Sequence, residues 1–268
     1  MHSTRTAALV VAAALAAVVV APGTANATGG RTADVHLLTE DGTLTTGSSA
    51  LPLLGRRVRV RGLDQHDRLV GIDVRPAGGA LYGIGRSGRL YTVDPRTGQA
   101  TGIGAPVVLE GRAVGFDFNP TVDRIRLVTS TGQNLRLHPD TGAVAAVDGA
   151  LAYPDARTTP KVAAAGYTNS VAGATSTTLY AIDSARGTLV TQGTRAGVTP
   201  VVSPNTGQLF TVGRLGARID AGNGFDISPD GTALAASGSA VYRVDLGTGR
   251  ARLVGLALGN VVGLAFRA

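Results

Sequence analysis

Short runs of apolar and β-branched residues alternate with turn residues along most of this chain. After residue 30, runs of four to six residues rich in Val, Leu, Ile, Tyr and Thr are separated by Gly, Pro, Asn or Asp. Such runs are typical of β-strands, and no helical stripe of apolar residues interrupts them. In one stretch the pattern predicts strands at 69–74, 80–85, 89–93 and 99–103. An all-β fold is therefore expected.

Two short motifs show that this group of strands repeats. A Gly-x-[Asp/Thr]-x motif occurs at 71–74, 115–118, 166–169 and 224–227, and a Thr-Gly turn occurs at 97–98, 141–142, 206–207 and 248–249. Each turn is followed six or seven residues later by another glycine. Repeats of about four short strands are the signature of β-propeller blades. The sequence therefore predicts a β-propeller.

The two ends of the chain determine the predicted number of blades. Residues 261–266 match a first strand, whereas 35–39, 43–46 and 58–61 match the second, third and fourth strands of a blade that lacks its first. Joining them predicts one blade built from both termini and five four-stranded blades in total. The alternative is six blades. It requires the third unit, which spans 41 residues from Gly166 to Gly207 against 27 in the first two, to contain a degenerate blade.

The N-terminus has the pattern of an export signal. Arg5 precedes an apolar run at 7–20, and Ala25-Asn26-Ala27 is a small-x-small cleavage site. This pattern predicts a signal peptide at 1–27 and a single propeller domain at 28–268. An uncleaved anchor is the alternative, although the run is shorter than the roughly 20 residues that span a bilayer. A secreted protein, associated with the cell wall or free, and without a transmembrane segment after cleavage, is expected.

Composition adds expectations about partners. The chain has no cysteine and therefore contains no disulfide. We expect it to be a monomer. Its formal charge is +7, and Lys161 is the only lysine, so arginine carries the basicity. A basic exported protein is attracted to an anionic cell-surface polymer or a small anionic ligand, whereas nucleic acid is rarely met outside the cell. The alternative explanation of the arginines is coding bias in a GC-rich genome.

One long motif resembles a known bacterial family. The segment GFDFNPTVDRIRLV at 115–128 continues through GQNLR at 132–136 to PDTG at 139–142. Further matching segments are LVGID at 69–73, AGYTNS at 165–170, TLYAID at 178–183 and GFDI at 224–227. Together they resemble the family of the domain of unknown function 4394 over nearly the whole mature chain. The resemblance implies an exported, propeller-like domain and brings no established activity or catalytic residues.

Three first strands carry an acid at the same place, namely Asp73, Asp117 and Asp226, and the motif alignment puts Thr168 and Ala265 at the other two positions. First strands line the centre of a propeller, so these carboxylates are predicted to converge. Oxygen ligands without cysteine suit Ca²⁺ rather than zinc or copper. The alternative is that each Asp accepts backbone N–H groups from its own following turn.

The second unit carries polar residues where the first is apolar. With a strand period of two, Arg124 and Arg126 share one face, and Asn134, Arg136 and His138 share a face of the next strand. Buried arginines need acids or an anion. The functional interpretation is a binding site for a carboxylate, phosphate or sulfated sugar, formed by Arg124, Arg126, Asn134 and Arg136. The alternative is an internal ion-pair network with Asp117 and Asp123.

No catalytic constellation stands out, and this absence shapes the functional hypothesis. His66, in the polar loop 64–68, is a further ligand-binding candidate, with a solvated loop as the alternative. The leading hypothesis is a non-enzymatic extracellular or wall-associated binding module. The alternative is a metal-dependent hydrolase or lactonase of the propeller type, with Ca²⁺ held by Asp73, Asp117 and Asp226. Whether the protein is an enzyme is open at this point.

Overall fold

Strands form nearly all the regular structure in the computed structural model, which describes residues 34–50, 54–111, 113–155, 158–220 and 222–267. The predicted signal peptide lies outside these residues. The strands are β1 (Asp34–Thr39), β2 (Thr43–Ser48), β3 (Arg56–Arg59), β4 (Leu69–Val74), β5 (Leu81–Gly85), β6 (Leu90–Val93), β7 (Ala100–Ile103), β8 (Val114–Asn119), β9 (Arg124–Thr129), β10 (Asn134–Leu137), β11 (Val144–Val147), β12 (Val162–Tyr167), β13 (Leu179–Asp183), β14 (Thr188–Gln192), β15 (Leu209–Arg214), β16 (Asn223–Ile227), β17 (Ala233–Val244) and β18 (Ala251–Phe266). Between β14 and β15 lies one 3-10 turn, Pro204–Thr206. Within the described part of the chain, none of the helical structure is long and apolar enough to span a membrane.

The strands form four antiparallel sheets in a propeller-like arrangement. Three sheets have four strands each: β4 to β7, β8 to β11 and β12 to β15. In the fourth, hydrogen bonds join six strands in the order β16-β17-β18-β1-β2-β3. The all-β prediction is confirmed, but the count of five blades is not, because this continuous pairing leaves four sheets rather than five.

The predicted pairing of the two termini is confirmed. Val35 lies opposite Phe266, and the register continues along β1 and the second half of β18 to Thr39 and Val261. The first half of β18 pairs instead with β17. The chain ends therefore close the fold by backbone hydrogen bonds, which suits a chain without disulfides.

Five strands form a closed inner ring. Strand β4 contacts β8, β8 contacts β12, β12 contacts β16, β16 contacts β18, and β18 contacts β4. The described apolar side chains form five core clusters rather than one central core. In one cluster Tyr82 of the first sheet packs edge-on against Phe118 of the next, with ring centroids 5.0 Å apart. Packing between neighbouring units therefore provides the core.

The repeated glycines have two different physical reasons. In the Thr-Gly turns, Gly98, Gly142, Gly207 and Gly249 have φ between 69° and 80°, a region that side chains with a Cβ rarely adopt. In the inner strands the reason is close approach. A Cβ at Gly115 would lie 2.9 Å from the backbone of Ala164, and one at Gly224 would lie 2.5 Å from the backbone of Leu264. The inner strands can therefore pack backbone against backbone.

Candidate functional site

Three carboxylates meet at one end of the inner ring. Asp73, Asp117 and Asp226 are all buried, and one oxygen from each lies within 4.8 Å of the others. They come from β4, β8 and β16, at the same register in each strand, close to the strand's C-terminal end. The predicted convergence of these three acids is therefore found in the structure. We call Asp73, Asp117 and Asp226 the acid cluster.

Backbone N–H groups of the inner ring donate to the acid cluster. The bonds run from Val74 and Phe118 to Asp73 (2.7 Å each), from Tyr167 to Asp117 (2.9 Å), and from Ile227 and Phe266 to Asp226 (2.5 and 2.6 Å). Three of these bonds join one inner strand to the next. The alternative that each Asp caps its own following turn is wrong in this detail, since the donors lie in the inner strands themselves. The acids therefore tie the ring together.

The third unit shows why three acids serve five strands. The motif alignment put Thr168 at the acid position, but Gly166 lies opposite Tyr180 as Asp73 lies opposite Tyr82, so Gly166 occupies it. Where the preceding inner strand has no acid, the backbone N–H bonds instead to the carboxylate of the residue just before it in its own strand. This holds for Ile227, because the preceding strand β12 has Gly166 at the acid position, and for Val74, because the preceding strand β18 has Ala265 there. The three acids thereby satisfy all five N–H groups at this level.

Burial sets the protonation of the acid cluster. It raises the pKa of Asp73 and of Asp117 well above the usual range, and repulsion from neighbouring acids adds to it. It also raises the pKa of Asp226, to about 6. The backbone N–H donors work against this rise, because a hydrogen bond to a carboxylate favours its charged form.

A cavity of about 510 Å³ opens at the opposite end of the ring. It lies where the inner strands begin, with Leu69, Val114, Asn223 and Val261 in its wall. We call it the mouth cavity. Its polar and charged lining comprises Glu40, Arg68, Arg86, Asp220, Asn223, Ser237 and Asn260. The volume is within the range of small-molecule sites, roughly 300–1,000 Å³.

Asn223 is the distinctive side chain of the mouth cavity. It is 4% exposed, and its Nδ2 donates to the Asp220 carbonyl at 2.5 Å. Among the described residues its Oδ1 finds no hydrogen-bond partner. The residue directly precedes the motif glycine Gly224, and valine stands at the matching position in β4, β8 and β18. This residue was not predicted from the sequence, although an asparagine in place of valine in a repeated strand is a recognisable signal.

The charges around the mouth cavity are mostly paired. Glu40 lies 3.5 Å from Arg68, and Asp220 lies 2.9 Å from Arg218. Among the described residues, Arg86 takes part in no ion pair. With Arg218, which lies outside the lining, the mouth has three arginines for two acids, and Arg86 is the one without an acid partner among the described residues.

The arginines of the second unit lie in a polar network between two sheets. Arg126 is 1% exposed. It donates to Tyr167 Oη (3.3 Å), Asn134 Oδ1 (2.7 Å), Asp148 Oδ2 (2.6 Å) and Asn205 Oδ1 (2.7 Å). Arg136 donates through two nitrogens to the same Asp148, at 2.8 and 2.9 Å. These contacts favour the internal network over an anion site on Arg126.

The acid partners in this network differ from those that the sequence suggested. Burial alone would raise the pKa of Asp148, but hydrogen bonds from Arg136 and Arg126 lower it. Asp123, one of the two expected partners, pairs with Arg75 instead. The other, Asp117, belongs to the acid cluster. Asp148 was missed because it follows the fourth strand of the unit, and nothing in its local sequence marks it.

The two remaining candidates lie apart from this network. Arg124 donates to the carbonyl of Asp123 at 2.9 Å and is half-buried. His66 is exposed, with φ of 65°, in the loop before β4, and it does not line the mouth cavity. Its neighbour Asp67 instead accepts bonds from Ser87 and Tyr91. The structure therefore brings Arg126, Asn134 and Arg136 together, but not Arg124 or His66.

Comparison with known proteins identifies the family. The family model described as "Domain of unknown function (DUF4394)" matches residues 43–265. The chain belongs to this family. A structural genomics protein of unknown function from Bacteroides thetaiotaomicron has a similar structure, with a TM-score of 0.48 and 14% sequence identity. The match covers 85% of this chain and 60% of that protein, so this chain spans less than two thirds of its length. No curated protein matches.

Proposed function

We propose that this DUF4394 protein is an exported, non-enzymatic binding module whose mouth cavity holds an acidic saccharide of a cell-surface polymer. The observation that carries the proposal is the unpartnered Oδ1 of the buried Asn223. A buried acceptor without a donor costs about 1–3 kcal/mol. A ligand hydroxyl that donates to this oxygen removes that cost.

The charge and size of the mouth cavity support this ligand class. Arg86 offers a guanidinium for a carboxylate, a pairing that is strong and directional. The rest of the lining combines apolar residues of the inner strands with polar and paired charged side chains, which suits the ring faces and the hydroxyls of a sugar. About 510 Å³ accommodates one or two sugar units.

The hydrolase alternative has less support than the binding module. The three acids that it needs present no carboxylate to the mouth cavity, because they lie at the other end of the inner strands. Their oxygens accept five backbone N–H bonds, which makes a structural role sufficient to explain them. The binding module therefore accounts for more of the observed geometry.

Calorimetric titration of the mature protein tests this function. The probes are digalacturonic acid and its neutral counterpart, a galactose disaccharide. We expect the acidic probe to bind and the neutral one to bind at least about tenfold more weakly, because a hydrogen bond to a charged group contributes about 1.5–3 kcal/mol.

Three variants sharpen the titration. Arg86→Gln is expected to weaken binding of digalacturonic acid about tenfold or more. Asn223→Val, which restores the residue of the sister strands, is expected to weaken it severalfold. Arg195→Gln removes an arginine far from the mouth cavity and is the matched control, with unchanged binding. Equal binding by the parent and the Arg86 and Asn223 variants would exclude the mouth cavity as the site.

Export and the blade count belong to the same proposal. Cleavage after Ala27 predicts that the protein outside the cell begins at Thr28, which mass spectrometry of the culture supernatant checks.

The division of the six-stranded sheet into two blades, giving five in all, is supported by the five inner strands and the five core clusters. A rigid ring of this kind suits a platform for binding.

A further inference from the structure

The insertion in the third unit builds a second cavity at the end of the ring that holds the acid cluster. Its volume is about 440 Å³. The loop 194–205 between β14 and β15 forms one wall, and Asn119 and Tyr167, which end two inner strands, contribute to the other. We call it the insertion groove. It lies at the opposite end of the inner strands from the mouth cavity and is independent of the function proposed there.

Gln192 supplies the groove with an unpartnered acceptor. The side chain lines the groove and is 1% exposed. Its Nε2 donates to Asn134 Oδ1 at 3.1 Å and to the Pro204 carbonyl at 2.7 Å, so the amide orientation is determined. Its Oε1 has no hydrogen-bond partner in the part of the chain that the structure describes. Because buried acceptors are nearly always satisfied, this oxygen indicates a ligand with an N–H or O–H donor.

Two arginines give the groove a surplus of positive charge. Arg136 shares the single carboxylate of Asp148 with the buried Arg126, so two guanidinium groups face one acid. Arg195 lies over the ring of Tyr180 at 5.8 Å, and its guanidinium donates a long hydrogen bond of 3.4 Å to the Leu246 carbonyl. Among the described residues Arg195 forms no ion pair. A carboxylate would balance this charge.

The groove also has exposed apolar side chains at its rim. Val122 is 54% exposed and Val201 is 79% exposed, and both line the groove. An acceptor, a surplus of positive charge and two apolar contacts within one groove define a ligand with a donor, a carboxylate and an apolar group. A sugar acid lacks the apolar group, whereas the end of a peptide has all three.

We propose that the insertion groove binds the C-terminal end of a peptide. The terminal carboxylate pairs with Arg195, a backbone N–H donates to Gln192 Oε1, and an apolar C-terminal side chain packs against Val122 and Val201. Capture of a C-terminal carboxylate together with backbone hydrogen bonding is an established mode of peptide recognition.

Calorimetric titration with a defined peptide pair tests the inference. The probe is acetyl-alanyl-alanyl-valine with a free carboxylate, and its partner is the same peptide as the carboxamide. We expect the acid to bind and the carboxamide to bind at least about tenfold more weakly, because the charged pairing is lost. Absence of binding at several millimolar, or equal binding of the two peptides, would overturn the inference.

Variants locate the site. Arg195→Gln is expected to weaken binding of the acid about tenfold, and Val201→Ser severalfold, while Arg86→Gln at the mouth cavity leaves it unchanged. Both substituted groove residues are partly or largely exposed, so the fold is retained, and thermal unfolding of each variant verifies this. Unchanged affinity in Arg195→Gln, or equal loss in Arg86→Gln, contradicts the assignment. The saccharide titration reports separately on the mouth cavity, so either proposal can fail alone.

Discussion

The two ends of the inner ring treat buried polar groups in opposite ways. At the end with the acid cluster, three carboxylates accept five backbone N–H groups, and every one of these donors has a partner. At the mouth, the buried Asn223 keeps an oxygen with no partner, beside a cavity. Satisfied buried groups stabilise a fold, whereas an unsatisfied one costs stability and needs another explanation. Within the inner strands, the comparison separates the structural acid cluster from a position at the mouth that is available to a ligand.

Removal of the strand that closes the ring would disrupt both ends at once. Deleting residues 261–268 removes the partner of β1, one donor to Asp226, and the wall of the mouth cavity at Val261. We expect loss of cooperative thermal unfolding, or aggregation through the exposed sheet edges. The control is a chain that ends at Phe266, which loses the exposed Arg267–Asp34 ion pair and the backbone hydrogen bond from Arg267 N–H to the Asp34 carbonyl but keeps β18. If the chain without residues 261–268 melts like the parent, the closure by β18 has no structural importance.

At the structural end, two acids that look alike should respond differently to the same substitution. Asp73 accepts one N–H bond on each of its two oxygens, whereas Asp117 accepts one N–H bond, from Tyr167. Asp73→Asn leaves one N–H facing an amide and should cost about 1–3 kcal/mol. Asp117→Asn keeps an oxygen for the Tyr167 N–H, so it should cost less.

Urea unfolding of the two asparagine variants provides this comparison. Both remove the same negative charge, so the difference between them isolates the lost backbone hydrogen bond. The free energy of unfolding of Asp73→Asn should therefore fall below that of Asp117→Asn. The opposite order would show that the bonds to Asp73 are not what stabilises this end.

The acid cluster should also give the protein an unusual pH dependence. Burial raises the pKa of Asp226 to about 6, so the folded state binds protons more tightly than the unfolded state, where the pKa is near 3.9. This contribution to stability is complete below about pH 4 and is lost as pH rises through about 6. Two pKa units correspond to about 3 kcal/mol.

His36 contributes a pH dependence of stability with the opposite sign, so the measurement must compare two proteins that both contain His36. Burial lowers the pKa of His36 to about 4, so its contribution grows as pH rises from about 4 to its ordinary value near 6.5. Asp117→Asn leaves His36 in place and removes one acid of the cluster. The free energy of unfolding of this variant relative to that of the parent should therefore increase between pH 5 and pH 8, as measured by urea unfolding. A constant difference across this range contradicts the raised pKa of the cluster.

What the sequence allowed us to predict depends on how local each cause is. The Thr-Gly turns and the strands between 69 and 103 were predictable, because a turn that needs positive φ requires glycine at that position. The convergence of the acid cluster followed from the repeat. The register of the third unit did not, because Ala164 and Gly166 are both small and only pairing with β13 distinguishes them. Asp148 escaped prediction because its contact with Arg126 depends on side-chain direction.

At the mouth, the smallest expected change in stability is the most informative. Asn223→Val removes an unpartnered buried oxygen and places an apolar side chain where the sister strands have valine, at the loss of one bond to the Asp220 carbonyl. We expect the free energy of unfolding to stay within about 1 kcal/mol of the parent value, or to rise. By contrast, truncation of a buried and satisfied asparagine would be clearly destabilising. A loss of about 2 kcal/mol or more would show that Asn223 is structural. Unchanged or increased stability together with weaker binding of digalacturonic acid would show that the residue is kept for its ligand.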